Sequence, residues 1–143
     1  MPRVVKWLAI TVGAYVVIVV AFESLVVFMG HRQAEHGVAP GEHWLVITTR
    51  DANGSRDTVV GGVEVDGRLY VAANHWPRGW FERALANPDV DVARNGIRAR
   101  YRAEPVSGAE RERIEAHYAI PLAIRVLTGF PPRSFLRLEP VGA

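Results

Sequence analysis

The stretch Thr58-Val59-Val60-Gly61-Gly62-Val63-Glu64-Val65-Asp66-Gly67-Arg68-Leu69-Tyr70-Val71-Ala72-Ala73 decides the fold. Two runs rich in β-branched and apolar residues flank Asp66-Gly67, a pair suited to a two-residue turn between antiparallel strands. Gly61-Gly62 inside the first run predicts a bulge or a close approach of backbone. Working backward, His43 to Thr49 reads as a preceding strand, and Asp51 to Gly54 as a turn ending in Asn-Gly. Working forward, the loop Asn74 to Gly79 leads into a short helix, Trp80 to Ala86, which Asn87-Pro88 ends because proline lacks a donor and restricts the residue before it.

Val90 to Arg94 and Ile97 to Glu104 form a second hairpin about Asn95-Gly96. The alternation in its second strand predicts Arg98, Arg100 and Arg102 on a wet face and Ala99, Tyr101 and Ala103 on a packed one. Ser107 followed three residues later by Glu110 predicts a capping box for a helix running to about Tyr118. Pro121 then separates off Leu122 to Leu127, and Ser134 to Leu138 supplies a last strand. The pattern is mainly β (α+β): about six antiparallel strands in a sheet or small barrel with short helices.

Ahead of this domain, Val4 to Met29 is almost wholly apolar, and 26 helical residues reach about 39 Å, more than the roughly 30 Å hydrocarbon core of a bilayer. Arg3, Lys6 and Trp7 mark one boundary, and Gly30, His31 and Arg32 the other. The apolar run is longer than a signal-peptide core and no A-x-A-like site follows it, so a retained anchor is expected. The organisation is therefore residues 1–32 as a transmembrane helix, 33–42 as a linker and 43–143 as the β domain. Basic residues before the helix favour a cytoplasmic N-terminus with the domain outside. Glu23 stands out, because an ionisable group in a lipid-facing helix is costly. Either it docks another membrane protein, or it lies close enough to the boundary to be hydrated or protonated.

The composition narrows the chemistry. The 143 residues contain no cysteine, which excludes disulfides, thiolate metal sites and cysteine nucleophiles. Net charge is +2 and Lys6 is the only lysine, with arginines scattered along the chain, so a nucleic-acid interface is not expected. The five histidines, His31, His36, His43, His75 and His117, have no i, i+4 pairing and no metal-ligand spacing. No G-x-S-x-G elbow, G-x-G-x-x-G turn or Walker lysine occurs. The remaining chemical signal is Asn74-His75-Trp76-Pro77-Arg78-Gly79-Trp80-Phe81, which brings aromatic rings, a cation and hydrogen-bonding groups to the start of a helix. Such a start suits an anion, and the rings suit a planar group. Alternatively Trp76, Trp80 and Phe81 plug one end of a small barrel.

From Leu45 to about Tyr118 the chain resembles the deazaflavin (F420)-dependent nitroreductase-like family of split β-barrels. The resemblance rests on Ile47-Thr48-Thr49 with the following turn at Gly54 and Arg56, on Leu69-Tyr70-Val71-Ala72-Ala73-Asn74, and on Trp80-Phe81 ahead of Leu85-Ala86-Asn87-Pro88-Asp89-Val90. It implies a split barrel holding F420 or FMN, with Gly54, Arg56, Asn74, His75, Arg78 and Trp80 as cofactor-binding positions. The implied activity passes a hydride to a lipophilic acceptor such as a quinone. The sequence departs from the family where a Gly-Arg-x-Ser/Thr-Gly turn is usual, since it reads Arg50-Asp51-Ala52-Asn53-Gly54. An acid thus replaces the motif arginine, and an anionic cofactor tail there would need Arg50, Arg56 or Arg78 to compensate. The alternative is a non-enzymatic accessory subunit or lipid-binding partner of a larger membrane (transport) complex. Such a subunit would have kept the barrel, lost the cofactor and docked through Glu23.

Overall fold

The computed structural model describes residues 3–36, 43–74, 79–118 and 120–142. Helix α1 (Arg3–His36) precedes strands β1 (Trp44–Asp51), β2 (Gly54–Val65) and β3 (Arg68–Ala73). Helix α2 (Gly79–Ala86) then leads to β4 (Asp89–Arg94) and β5 (Ile97–Pro105). Helices α3 (Gly108–His117) and α4 (Leu122–Leu127) precede β6 (Ser134–Pro140). The strands close into one antiparallel barrel in the order β1-β2-β3-β6-β5-β4. The expected six-stranded, mainly β architecture behind an apolar helix is what the chain forms.

Two hairpins set the register. Asp66 and Gly67 take φ of 52° and 73°, and Asn95 and Gly96 take 52° and 77°. Two consecutive positive-φ residues form the turn whose twist matches the strands it joins. Strand β2 serves two neighbours in succession. Its pairing with β1 ends at Trp44↔Gly61 and its pairing with β3 begins at Gly62↔Val71. At this crossover the Gly62 amide donates to the His43 carbonyl over 2.7 Å. A Cβ on Gly62 would lie 2.7 Å from Leu45 Cδ2, so the close approach read from Gly61-Gly62 is real.

The barrel interior is filled by Leu45, Ile47, Val60, Leu69, Val71, Val90, Val92, Leu136 and Leu138, with Trp80 and Ala84 of α2 packed into the same cluster. Outside the barrel, α3 lays Ile114 over Val65, Tyr70, Ala72, Val106 and Phe135. Period-two alternation therefore divides β3 into an inner row and an outer row, both buried, and β3 reads as continuously apolar.

Two expectations need correction. Ala99 is exposed together with Ile97, Arg98 and Arg100, and only Tyr101 and Ala103 of the expected packed face are covered. Pairing with β6 starts at Tyr101↔Pro140, so the first residues of β5 have no strand on that side to bring packing partners. The capping box also does not form. Ser107 occupies the N-cap in extended conformation (φ −143°, ψ 172°) without a side-chain cap bond. Glu110 instead accepts from Tyr70 Oη at 2.8 Å and from Arg137 Nη1 at 2.8 and 3.0 Å. A charged donor on the barrel outcompetes a backbone amide for the carboxylate.

The segment Arg3–Met29 of α1 is long and apolar enough to cross a membrane, with mean hydropathy 2.4. The helix runs on to His36, into the polar stretch expected as linker, while residues 37–42 lie outside the described residues. Its second half is not free of the barrel. It packs against β2 and α4 through one stripe, in which Val19, Phe22, Val26 and Val27 are half-buried and Glu23 is 6% exposed.

Candidate functional site

The β1–β2 hairpin and α2 enclose an open cleft of about 580 Å³ lined by Arg50, Asp51, Ala52, Gly79, Glu82, Arg83, Ala86 and Asn87. Its floor is tied to the barrel by Arg83, whose Nε donates to Oγ1 of the fully buried Thr49 at 3.0 Å. Gly79 opens α2 against this side chain, and a Cβ there would come within 3.2 Å of Arg83 Nη1. The hairpin turn is held by Asp51 Oδ1, which accepts the Asn53 amide at 2.8 Å, and Gly54 follows at φ 119°.

Register places Arg56 at the rim. Leu45↔Val60, Ile47↔Thr58 and Thr49↔Arg56 are successive cross-strand pairs on the interior-facing row, and directly opposed residues share a face. Arg56 is exposed and makes no ion pair among the described residues. Arg50 is engaged elsewhere, in an ion pair with Asp91 and in a 3.4 Å bond to the Asp89 carbonyl. The cleft lining itself is formally balanced, with Arg50 and Arg83 set against Asp51 and Glu82.

Asn74 does not reach this cleft. It borders a second, much narrower cavity between β3 and α4, where Arg133 Nε donates to Asn74 Oδ1 at 3.4 Å. Arg133 also pairs with Glu115 at 3.5 Å, bonds the Tyr118 carbonyl and lies over the Phe135 ring at 5.4 Å. Desolvation there lowers the guanidinium pKa, and burial raises that of the Tyr118 hydroxyl. That hydroxyl donates to the carbonyls of Gly61 and Tyr70 at 3.2 and 3.0 Å.

The residues singled out from sequence are thus divided by the structure. Gly54 and Arg56 belong to the hairpin beside the cleft, and Asn74 lies at the Arg133 cavity. Trp80 is 9% exposed within the barrel cluster, edge-on to Phe81 at 5.7 Å, which is the position of a barrel plug. His75 and Arg78 lie outside the described residues. Arg83 is a cleft cation that the sequence reading did not single out; its signal was its place one turn after Gly79. The arginine row of β5 is compensated: Arg100 stands opposite Asp91, Arg102 opposite Asp89, and Arg98 lies 3.7 Å from Asp57. Among the described residues no group of three His, Asp or Glu side chains could hold a metal.

A closed antiparallel barrel with a helix inserted between β3 and β4 and a cleft at the β1–β2 hairpin defines a split-barrel protein. The chain belongs to the F420H(2)-dependent quinone reductase family, whose family model matches residues 27–122. Solved structures agree on the fold. An F420-H2 dependent reductase (FDR-A) is 21% identical, with TM-score 0.52 over 72% of this chain and 100% of its own. General Stress Protein 26 from Bacillus anthracis is 16% identical, with TM-score 0.53 over 70% of this chain and 81% of its own. The heme storage protein HutZ from Vibrio cholerae is 16% identical, with TM-score 0.51 over 72% and 84%. Among curated proteins, none matches this chain.

Proposed function

We propose that this chain is a membrane-anchored reductase that uses F420 to reduce a lipophilic, quinone-like acceptor. The observation that carries the reading is the family match across most of the barrel, together with a cleft of about 580 Å³ at the β1–β2 hairpin that Arg83 lines and beside which the strand register places Arg56. The donor set fits an anionic cofactor tail. Arg56 has no competing ion pair among the described residues, Arg83 is preorganised by Thr49, and the α2 N-terminus adds its partial positive charge. Asp51 and Glu82 weaken that attraction, so binding is expected to be looser than with an arginine at position 51. When bound here, reduced F420 would supply the hydride. The chain's own part is binding, orientation and exclusion of water, so no catalytic acid or base is required of it. Helix α1 holds the barrel where an apolar acceptor dissolves.

Asp51 itself favours one competing reading, an accessory subunit that has kept the barrel without the cofactor. Purification in mild detergent, followed by fluorescence titration with F420, separates the two. Saturable binding that Arg83→Ala weakens at least tenfold, with thermal stability little changed, supports the reductase. No binding, together with stoichiometric co-purification of a membrane protein, overturns it in favour of the accessory subunit.

A further inference from the structure

We infer that α4 and the turn after it form a second membrane-embedded element, which enters the acyl-chain region beside α1 and seats the barrel against the bilayer. The inference rests on the membrane reading of α1 given above. Tyr15 stands twelve residues after Arg3 and fourteen before Met29, close to the middle of the apolar segment, and its hydroxyl donates to the Val126 carbonyl of α4 at 2.8 Å. One turn further along α1, Val19 meets Gly129, where an added Cβ would come within 2.9 Å of Val19 Cγ1. A helix placing its ends at the two surfaces of a roughly 30 Å core carries its middle near the midplane, so whatever is bonded to Tyr15 lies in lipid.

The segment is built for that medium. Leu122 is 67% exposed and Phe130 50%, and Ile124 and Val126 are also exposed, forming an apolar surface continuous with α1. The other exposed large apolar residues of the described barrel, Trp44, Leu85, Ile97 and Val141, are dispersed along the chain. Phe130 has φ 53°, a costly conformation for an aromatic residue, and half of its surface is nevertheless left exposed. Backbone carbonyls immersed in hydrocarbon must be satisfied internally. Here Arg125 O accepts the Phe130 amide at 2.9 Å, Val126 O accepts the Gly129 amide as well as Tyr15, and Ile124 O accepts both the amide and the hydroxyl of Thr128. Arg125 lies over the Phe130 ring at 5.5 Å and borders the cavity between Asn74 and Arg133, so its charge has protein neighbours on that side. This packing also explains Glu23: its side chain is covered on the barrel-facing stripe of α1 and is kept from lipid by the protein's own domain.

The chain has no native cysteine, so single cysteines can be placed at will. Full-length Leu122→Cys, Phe130→Cys, Val12→Cys and Ile97→Cys would each carry an environment-sensitive fluorophore in phosphatidylcholine–phosphatidylglycerol vesicles containing nitroxide-labelled acyl chains. The expected result is blue-shifted, quenched emission at positions 12, 122 and 130, and water-like, unquenched emission at 97. Lipid-like emission at 12 with water-like emission at both 122 and 130 would overturn the inference and leave the anchor standing. Water-like emission at all four would overturn the anchor reading and this inference with it.

Discussion

The Tyr70 hydroxyl donates to Glu110 across 2.8 Å, joining a barrel strand to a helix forty residues away. Arg137, paired across strands with both Tyr70 and Glu104, bonds the same carboxylate. The helix start read from Ser107 and Glu110 was therefore correct in position and different in mechanism: α3 is fastened by its first-turn acid to the sheet, and not by a cap. Tyr70→Phe should cost about 1–2 kcal/mol, because it removes a bond to a charged acceptor. Ser107→Ala should cost less than the roughly 1 kcal/mol usual for an N-cap serine, since no side-chain cap bond is present to lose. Chemical denaturation of the two variants in detergent measures both.

The same carboxylate should make stability pH-dependent. Hydrogen bonds from Arg137 first, then from Tyr70, hold the Glu110 pKa below its ordinary value despite desolvation. A lowered folded-state pKa contributes stability that is complete above the ordinary carboxylate range and is lost as pH falls through the lowered value. Thermal melts should thus lose stability below about pH 4. Glu110→Gln should be less stable at neutral pH and should show a shallower loss on acidification.

Gly62 is required by packing. An added Cβ would lie 2.7 Å from Leu45 Cδ2 and 3.5 Å from both Leu69 Cδ1 and the Tyr70 carbonyl, and Leu45 is 1% exposed with no space to retreat. Gly62→Ala should cost about 1–3 kcal/mol as overpacking. Leu45→Val made in the same chain should recover part of that loss, and a double-mutant cycle read by denaturation shows the coupling.

At the cleft, Asp51→Arg should tighten F420 binding at least tenfold, about 1.4 kcal/mol. The gain arises because Arg50 is held by Asp91, and the new cation would replace a carboxylate in the cleft lining and join Arg56, which has no ion pair among the described residues, as a second cation at the hairpin. Loss of the Asp51–Asn53 bond should lower stability by no more than about 1 kcal/mol. Unchanged affinity in a fluorescence titration would remove the turn from the cofactor site.

Local chemistry determined much of this protein in the sequence alone. Asp66-Gly67 and Asn95-Gly96 carry the turns that align their strands, because only residues tolerant of positive φ close such hairpins. The apolar run to Met29 reads as a helix long and apolar enough to cross a membrane, and the strand motifs with Asn87-Pro88 point to the family whose model matches residues 27–122. Relations between distant segments were decided only by the tertiary structure. Strand β6 stops short of Ala99 and leaves it bare, Arg137 takes Glu110 from the helix cap, and barrel closure puts Asn74 beside Arg133 instead of in the α2 cleft. The contact of Tyr15 with Val126 spans 111 positions, and no periodicity along the chain encodes a bond across that distance. Dihedral preference acts within a few residues and can be read in order. Packing and charge pairing depend on which surfaces closure brings together, and that is fixed only when the whole barrel has formed.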